Sequence, residues 1–532
     1  MADLHELINS LKETANAALI SGMMRGVEKE SLRVGGDGAL ALTEHPRALG
    51  SALTHSQITT DFSEALLEFI TPPSHQVDIV LDQLRAVHQF TYSNLQQEIL
   101  WPASMPCKLP EDDQIPVGQY GDSNGGRMKT IYRLGLGQRY GRKMQTIAGI
   151  HYNFSLPSPF WAYLHARDRS SKDMQQYRTE RYFDLIRNFR RYYWLLIYLF
   201  GASPAVCGCF VKGRDHKLEA WDETGRTLYH PYATSLRMGD LGYQSDAQKS
   251  LHIDYNKLDY YLHTLCAAIK TSYPPYAEIG LFDKTGYAQQ LNTSLLQIEN
   301  EFYSPIRPKR TARPGETALT ALYYRGIEYI EVRCLDLNPY EPLGIGRDEM
   351  LFLDTFLLYC CLQDSPHTYE KEYRAMQENQ KRTVYQGRNP EVRLIKGDDE
   401  PLLKDWGLEL MDKMAPIAEL LDSVSNEQGH SNALQRFTQY LHDPSLTPSG
   451  RLLNDMREQN VGFFELVDSL AQQHARHFAD LPVDEQEFEA FKTAAVTSLQ
   501  KQEQIEEQDN ASFEEYLQHY YDQYDFCAKA QL

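Results

Sequence analysis

The chain predicts an α+β fold built on an antiparallel sheet, and two observations carry that prediction. Several short segments place ionisable residues two apart inside apolar stretches, the pattern of strands with one polar and one apolar face. Long stretches of helical period separate and follow them, without the regular strand–helix–strand alternation of a parallel sheet. In order, 3–21 is amphipathic and reads as a helix, 24–33 as a strand, and Gly35-Gly36-Asp37-Gly38 as the turn to a short return strand. Residues 63–71 alternate as a strand that stops at Pro72-Pro73, and 76–99 carry helical spacing. Pro, Gly, Asp and Asn make 102–126 a long loop, followed by a helix over 128–141 and a strand over 143–157. Residues 175–200 read as helical. The apolar run 194–211 reads as a buried helix, a turn at Gly201-Ala202-Ser203-Pro204 and a buried strand, too broken to span a bilayer. An irregular polar loop over 229–248 precedes strands at 294–303 and 326–335 and an apolar helix at 347–363. Beyond about 400 the chain turns helical, charged and Gln-rich, with 502–525 as a surface helix.

At 532 residues the chain has room for two or three domains, or for one large domain with helical additions. A hydrophobic content of 42% with 11% aromatic residues is that of a globular protein. The formal charge of −20 argues against non-specific binding to nucleic acid or anionic membranes. No basic segment followed by an apolar core opens the chain, so the expectation is a soluble cytoplasmic protein without a signal peptide; the chain is also expected to be monomeric. Eight cysteines show neither C-x-x-C pairs nor zinc spacing; Cys207, Cys209, Cys360 and Cys361 read as packed thiols.

Chemistry concentrates in the strand-like segments. In Arg25-Gly26-Val27-Glu28-Lys29-Glu30-Ser31-Leu32-Arg33 the two acids share a face. Alone, that pattern reads first as an edge strand with solvated acids, which Arg25 and Arg33 could neutralise. In the segment 58–71 a strand aligns Glu64 with Glu68, whereas a helix aligns Asp61, Glu64 and Glu68. His151, Asn153 and Ser155 alternate with aromatics, and Glu331 and Arg333 share a face with Ile327 and Tyr329. The bland readings are a hydrogen-bonded histidine and a structural ion pair. Together, however, these segments would line one sheet face with like charges, which burial forbids unless a cation sits among them. Hard oxygen donors select Mg²⁺. That suggests a magnesium enzyme acting on an anionic, phosphate-bearing ligand. Cations for such a ligand could come from Arg133 beside Tyr132, from Arg237, or from Arg307-Pro308-Lys309-Arg310, which reads equally as a solvated loop. Tyr243 and Tyr303 lie beside these loops. No P-loop, Rossmann, G-x-S-x-G or H-E-x-x-H motif is present, so any nucleotide is held in another way.

With those residues in view, the chain resembles the glutamate–cysteine ligases of proteobacterial type. The likeness runs through 25–33, the Thr59-Thr60-Asp61-Phe62-Ser63-Glu64-Ala65-Leu66-Leu67-Glu68 core, Trp101-Pro102-Ala103-Ser104-Met105-Pro106-Cys107 and the segment 144–157. It continues in 231–243, 296–310 and 326–338, and fades beyond about 385. The resemblance implies a glutamine-synthetase-like curved, mainly antiparallel sheet forming a funnel, with helices outside. It implies a catalytic domain over 8–385 and a helical region over 386–532 that packs on it. It also implies ATP-dependent joining of the glutamate γ-carboxylate to the cysteine amine, with Mg²⁺ as cofactor and Mn²⁺ able to substitute. Carried over by position, Glu28, Glu30, Asp61, Glu68, His151 and Glu331 would bind metal, and Arg133 and Arg333 the transferring phosphate. Tyr132, Gln145, Arg237, Tyr243 and Tyr303 would hold the amino acids; Glu64 receives no role. A ligase using another amine, a catalytically dead binding homologue and a phosphotransferase are the competing readings.

Overall fold

The structure is a computed structural model that describes residues 2–13, 19–106, 108–242, 246–249, 251–425 and 428–528. The predicted helix over 3–21 forms as Ala2–Lys12, its continuation through 14–18 lying outside the described residues. Ten strands follow among the described residues: β1 Met24–Val34, β2 Ile58–Thr60, β3 Leu66–Ile70, β4 Ile99–Leu100, β5 Ile150–Ser155, β6 Ala205–Cys207, β7 Glu219–Ala220, β8 Thr227–Tyr229, β9 Ile306–Lys309 and β10 Tyr329–Leu335. Six of them form one open sheet in the order β2-β3-β1-β5-β10-β9, with β4 paired to β1, and every pairing is antiparallel. β6, β8 and β7 make a small second sheet.

Register does the organising. Glu30 pairs with Glu68, Glu28 with His151, and Glu331 with both Asn153 and Arg307. Because alternate side chains leave opposite faces, these polar residues share one face. Val27, Phe69, Ile150, Tyr152, Phe154, Ile330 and Val332 occupy the other, and each is buried. Long helices, among them Val77–Asn94, Met174–Tyr192 and Arg347–Leu362, supply the buried side chains that cover it. Arg347–Leu362 is buried at nearly every position, so it forms the centre of the molecule, as its continuous apolar sequence predicted.

Four sequence expectations need correction. The strand read over 294–303 does not form: Gln297, Glu299 and Glu301 direct their side chains at backbone and neighbouring groups, and the strand begins only at Ile306. There Pro308 is tolerated because β9 is an edge strand. The strand read over 63–71 begins at Leu66, since Ser63, Glu64 and Ala65 make the turn of the β2–β3 hairpin. The return strand after Gly38 shrinks to isolated bridges at Ala39 and Leu40. The surface helix read over 502–525 is broken: Glu485–Gln508 ends at Asp509, whose carboxylate accepts from the side chain of Asn124, and Phe513–Asp522 follows. Cys360 and Cys361 are buried thiols as read. Cys266 and Cys527 form a disulfide that nothing in their spacing announced.

The C-terminal helices reach back over the sheet region. Ser51 N–H donates to Ser498 Oγ at 2.9 Å, and Tyr521 exchanges hydrogen bonds with Asn292 and Gln297. Tyr516, Leu517 and Tyr520 pack with Met128 and Tyr132 of the helix Asn124–Tyr140.

Candidate active site

The polar sheet face gathers most of the predicted metal ligands. Glu28 and Glu30 come from β1, Glu68 from β3, His151 from β5 and Glu331 with Arg333 from β10. Glu28, His151 and Glu331 each offer a donor atom within 4.8 Å of the others. His151 Nδ1 lies 3.2 Å from Glu28 Oε2, and its Nε2 lies 3.7 Å from Glu30 Oε1 with no hydrogen-bond partner. Asn153 donates to Glu28 at 2.9 Å, which fixes that carboxylate from below. Lys309 reaches Glu331 Oε1 at 3.3 Å and Arg333 reaches Glu331 Oε2 at 3.2 Å.

Asp61 stands at the end of β2, in the hairpin turn. Its backbone carbonyl accepts from Arg133 Nε and from the Tyr120 hydroxyl, so the hairpin and the helix Asn124–Tyr140 are locked together. Glu64 departs from the pattern. Its carboxylate accepts the N–H groups of His45 and Gln119, each at 2.6 Å, and so pins two loops instead of joining the polar face.

Electrostatics divide the face in two. Burial raises Glu30 to about 8, and Asp61 adds to it, although Arg237, Arg333 and the Gly149 N–H oppose. Burial, then Glu28, Asp61 and Glu30, hold Glu68 well above the ordinary carboxylate range. Glu28 and Glu331 go the other way. Burial would raise them, but the His151 hydrogen bond draws Glu28 down, and Lys309 and Arg333 draw Glu331 down. His151 is pushed below its usual value by burial and by Arg333, so it stays neutral and able to donate a lone pair. Carboxylates that burial makes reluctant to ionise, around an imidazole nitrogen without a partner, fit a hard divalent cation.

Gln145 donates to the Tyr303 hydroxyl at 2.8 Å, and Tyr303 packs edge-on against Tyr140. Arg237 is fully buried, donates to the Arg333 carbonyl at 3.0 Å, and lies 3.9 Å from Asp336. Gly149 is required there: a Cβ on it would stand 2.1 Å from Arg237 Nη2. Tyr132 is joined through its carbonyl to Gln297, and its hydroxyl is raised by burial and by Glu301 and Tyr303. Arg133 stacks over the Tyr120 ring at 4.4 Å. Tyr243 lies outside the described residues.

One group, Asp336, went unnoticed in the sequence, and another, Lys309, has a more specific place than its loop reading implied. Asp336 accepts from Ala202 N–H, Ser203 Oγ and Ser235 Oγ, and so ties the turn that carries Arg237 to the end of β10. Its position just past a strand gave no periodic signal. Lys309 was read as one of several loop cations; its place opposite Tyr329 in β9 puts it on the polar face.

A sequence model of the glutamate–cysteine ligase family matches residues 8–383. The chain is 51% identical over 528 residues to the glutamate–cysteine ligase of Saccharophagus degradans, covering 99% of both chains. It is 49% identical over 526 residues to that of Alcanivorax borkumensis, covering 98% of this chain and 100% of the relative. Among solved structures, the glutamate–cysteine ligase of Francisella tularensis in complex with AMP superposes with a TM-score of 0.89 at 36% identity, over 95% of this chain and 98% of that one. A bifunctional glutathione synthetase from Pasteurella multocida superposes with a TM-score of 0.69 at 25% identity, over 94% of this chain and 58% of that one. A carboxylate-lined antiparallel sheet with that whole-length likeness places the chain in the glutamate–cysteine ligase family.

Proposed function

We propose that the chain joins the γ-carboxylate of glutamate to the amine of cysteine at the expense of ATP, through a γ-glutamyl phosphate, in the first step of glutathione synthesis. The observation that carries this reading is the convergence of Glu28, His151 and Glu331 with Arg333 on one buried sheet face. A carboxylate is a poor acyl donor, and phosphorylation supplies the leaving group. The γ-carboxylate, the nucleotide and the sheet acids are all anionic, so their approach must be neutralised. Mg²⁺ held by Glu28, Glu30, Asp61, Glu68, His151 and Glu331 would supply that charge, as would Mn²⁺ in its place.

The protein's own groups do the rest. Arg333 already bridges the His151 imidazole and Glu331, and with Arg133 it would face the phosphoryl group in flight. Arg237, held by the Arg333 carbonyl and Asp336, would bind glutamate together with Gln145. Tyr132, Tyr243 and Tyr303 would shape the cysteine side. The loops 106–126 and 236–248 would keep water from the acyl phosphate. Residues 8–385 form the catalytic domain in this reading, with 386–532 packed on it. We place the protein in the cytoplasm as a monomer, where the Cys266–Cys527 bridge would be exposed to reduction.

The test is ADP release from ATP and glutamate in the presence of Mg²⁺, with cysteine, 2-aminobutyrate or unrelated amines added in turn. Release that requires glutamate and is fastest with cysteine is expected. Release favouring another amine would change the substrate, and none with any amine would overturn the reading.

A further inference from the structure

A cavity of about 480 Å³ lies behind the turn that carries Arg237, between the C-terminal end of Met174–Tyr192 and the helix Glu370–Gln386. None of the sheet-face carboxylates lines it. Of the described residues proposed above for substrates, Tyr303 alone does. Its cations are distinctive. On the first helix Arg181 and Arg187 pair with Asp184, and Arg191 pairs with Glu372. Arg190 meets no carboxylate among the described residues; it lies half-buried against Tyr255 at 4.3 Å and Tyr373 at 5.2 Å. On the second helix Lys371, Arg374 and Arg382 pair with Asp398, Glu370 and Glu378. Lys381, which also lines the cavity, has no such partner among the described residues. The acids of the wall already have partners: Asp240 accepts the hydroxyl of Tyr385, which also lines the cavity, and Glu378 accepts Arg382.

We infer that this cavity is a second binding site, for a small organic anion with a planar body. Tyrosine faces and a guanidinium already stacked on them suit a flat ligand, and two uncommitted cations suit its negative groups. Carboxylate and phosphate share this chemistry, and the two are separated below. The site is joined to the ligation site through its wall. Gln380 donates to the Met238 carbonyl at 2.7 Å, and Met238 follows Arg237 directly, with Asp240 two residues further on. An anion that draws Arg190 and Lys381 inward therefore acts on the turn that sets Arg237. The coupling half of this inference rests on the ligase reading; the binding half does not.

The experiment is calorimetric titration of the full chain with phthalate, inorganic phosphate and neutral phthalamide, repeated on Arg190→Gln and Lys381→Ala. Saturable binding of phthalate or phosphate is expected, with phthalamide inert, and whichever anion binds more tightly identifies the ligand class. Each substitution should weaken binding at least about tenfold, the effect of one charge-assisted contact. Lys381 is exposed, so its variant keeps the test intact if Arg190→Gln fails to fold. Saturating glutamate should change the anion's affinity by a fixed factor of a few, and the anion should shift the glutamate Kd by that same factor in wild type but not in Lys381→Ala. Absence of saturable binding, or binding untouched by Lys381→Ala, would overturn the site. So would an apparent Kd that climbs without limit as glutamate is raised, since the anion would then be in the ligation site. Anion binding in a protein without ligase turnover would uphold the site and sink only the ligase reading.

Discussion

Two buried charge clusters on opposite faces of the central sheet are held in opposite ways. Arg25 points to the apolar face, where it bonds Asp354 at 2.7 Å while the Tyr152 hydroxyl takes the other Asp354 oxygen at 2.8 Å. Burial would weaken that arginine, but Asp354 raises it above its ordinary value and is itself drawn down. Arg25 and Asp354 satisfy each other's charge, and the Tyr152 hydroxyl occupies the second carboxylate oxygen. Across the same strands, Glu30 and Glu68 face each other with acids as neighbours, and both resist ionisation. A closed network of opposite charges holds a fold together; a cluster of like charges kept in place by the fold is a site awaiting a ligand.

That contrast breaks most visibly by removing one acid from each face. Glu331→Gln should lower turnover by about 10²–10³-fold or more, the scale of losing one electrostatic contact to the reacting groups, and should cost less stability than Asp354→Ala, because Lys309 and Arg333, its ion-pair partners, are partly exposed. Asp354→Ala should do the reverse. It strands Arg25 in a buried setting and should cost about 3–5 kcal/mol of stability, while the folded fraction keeps its kcat. ADP release and thermal melts on both variants decide it. An unfolded Glu331→Gln, or a stable but inactive Asp354→Ala, would erase the distinction between the faces.

Proton linkage sharpens the same point. Glu30 ionises at about 8 in the folded chain against about 4.5 when unfolded, so the folded state holds the extra proton between those values. The raised group contributes stability that is whole below about 4.5 and is lost as pH climbs through 8. Other buried groups titrate nearby, and Glu30→Gln isolates this one. In EDTA the variant should match wild type near pH 5 and exceed it near pH 8, by on the order of a few kcal/mol. Mg²⁺ should remove that advantage and release protons as it binds wild type. Melts at both pH values, with calorimetry in two buffers, measure both effects. A variant that gains nothing at pH 8 would mean that Glu30 is not held among like charges.

Much of this division was legible in the alternation of β1, β5 and β10, because a period of two leaves its mark directly in the residues. Glu28, Glu30, His151, Glu331 and Arg333 were placed on one face from spacing alone. Glu64 was misplaced by the same logic: Ser63 begins a turn, and a turn breaks the period without changing composition. Asp61 and Asp336 lie just outside strands, where position depends on which backbone groups need partners. The strand at Ile306–Lys309 was hidden by Pro308, since a proline speaks against a strand unless the strand is known to be an edge. The family resemblance supplied the roles of Arg237, Gln145 and Tyr303, which no periodicity in their loops could have given.

The finest comparison is between two glycines. Gly26, in β1, has Thr71 O as the nearest atom to an added Cβ, at 3.7 Å, an ordinary contact. Gly149, just before β5, has Arg237 Nη2 at 2.1 Å. Its missing side chain is what lets the buried guanidinium lie against the sheet. Asp336 and the Arg333 carbonyl still hold Arg237, so an added methyl displaces it without freeing it. Gly149→Ala should therefore raise the glutamate KM about tenfold, equivalent to ~1.4 kcal/mol of lost binding, and leave the KM for ATP nearly unchanged. Gly26→Ala should leave both constants near wild type. Equal behaviour of the two variants would mean that Arg237 is not seated by the sheet, and that glutamate is held by the tyrosines above it.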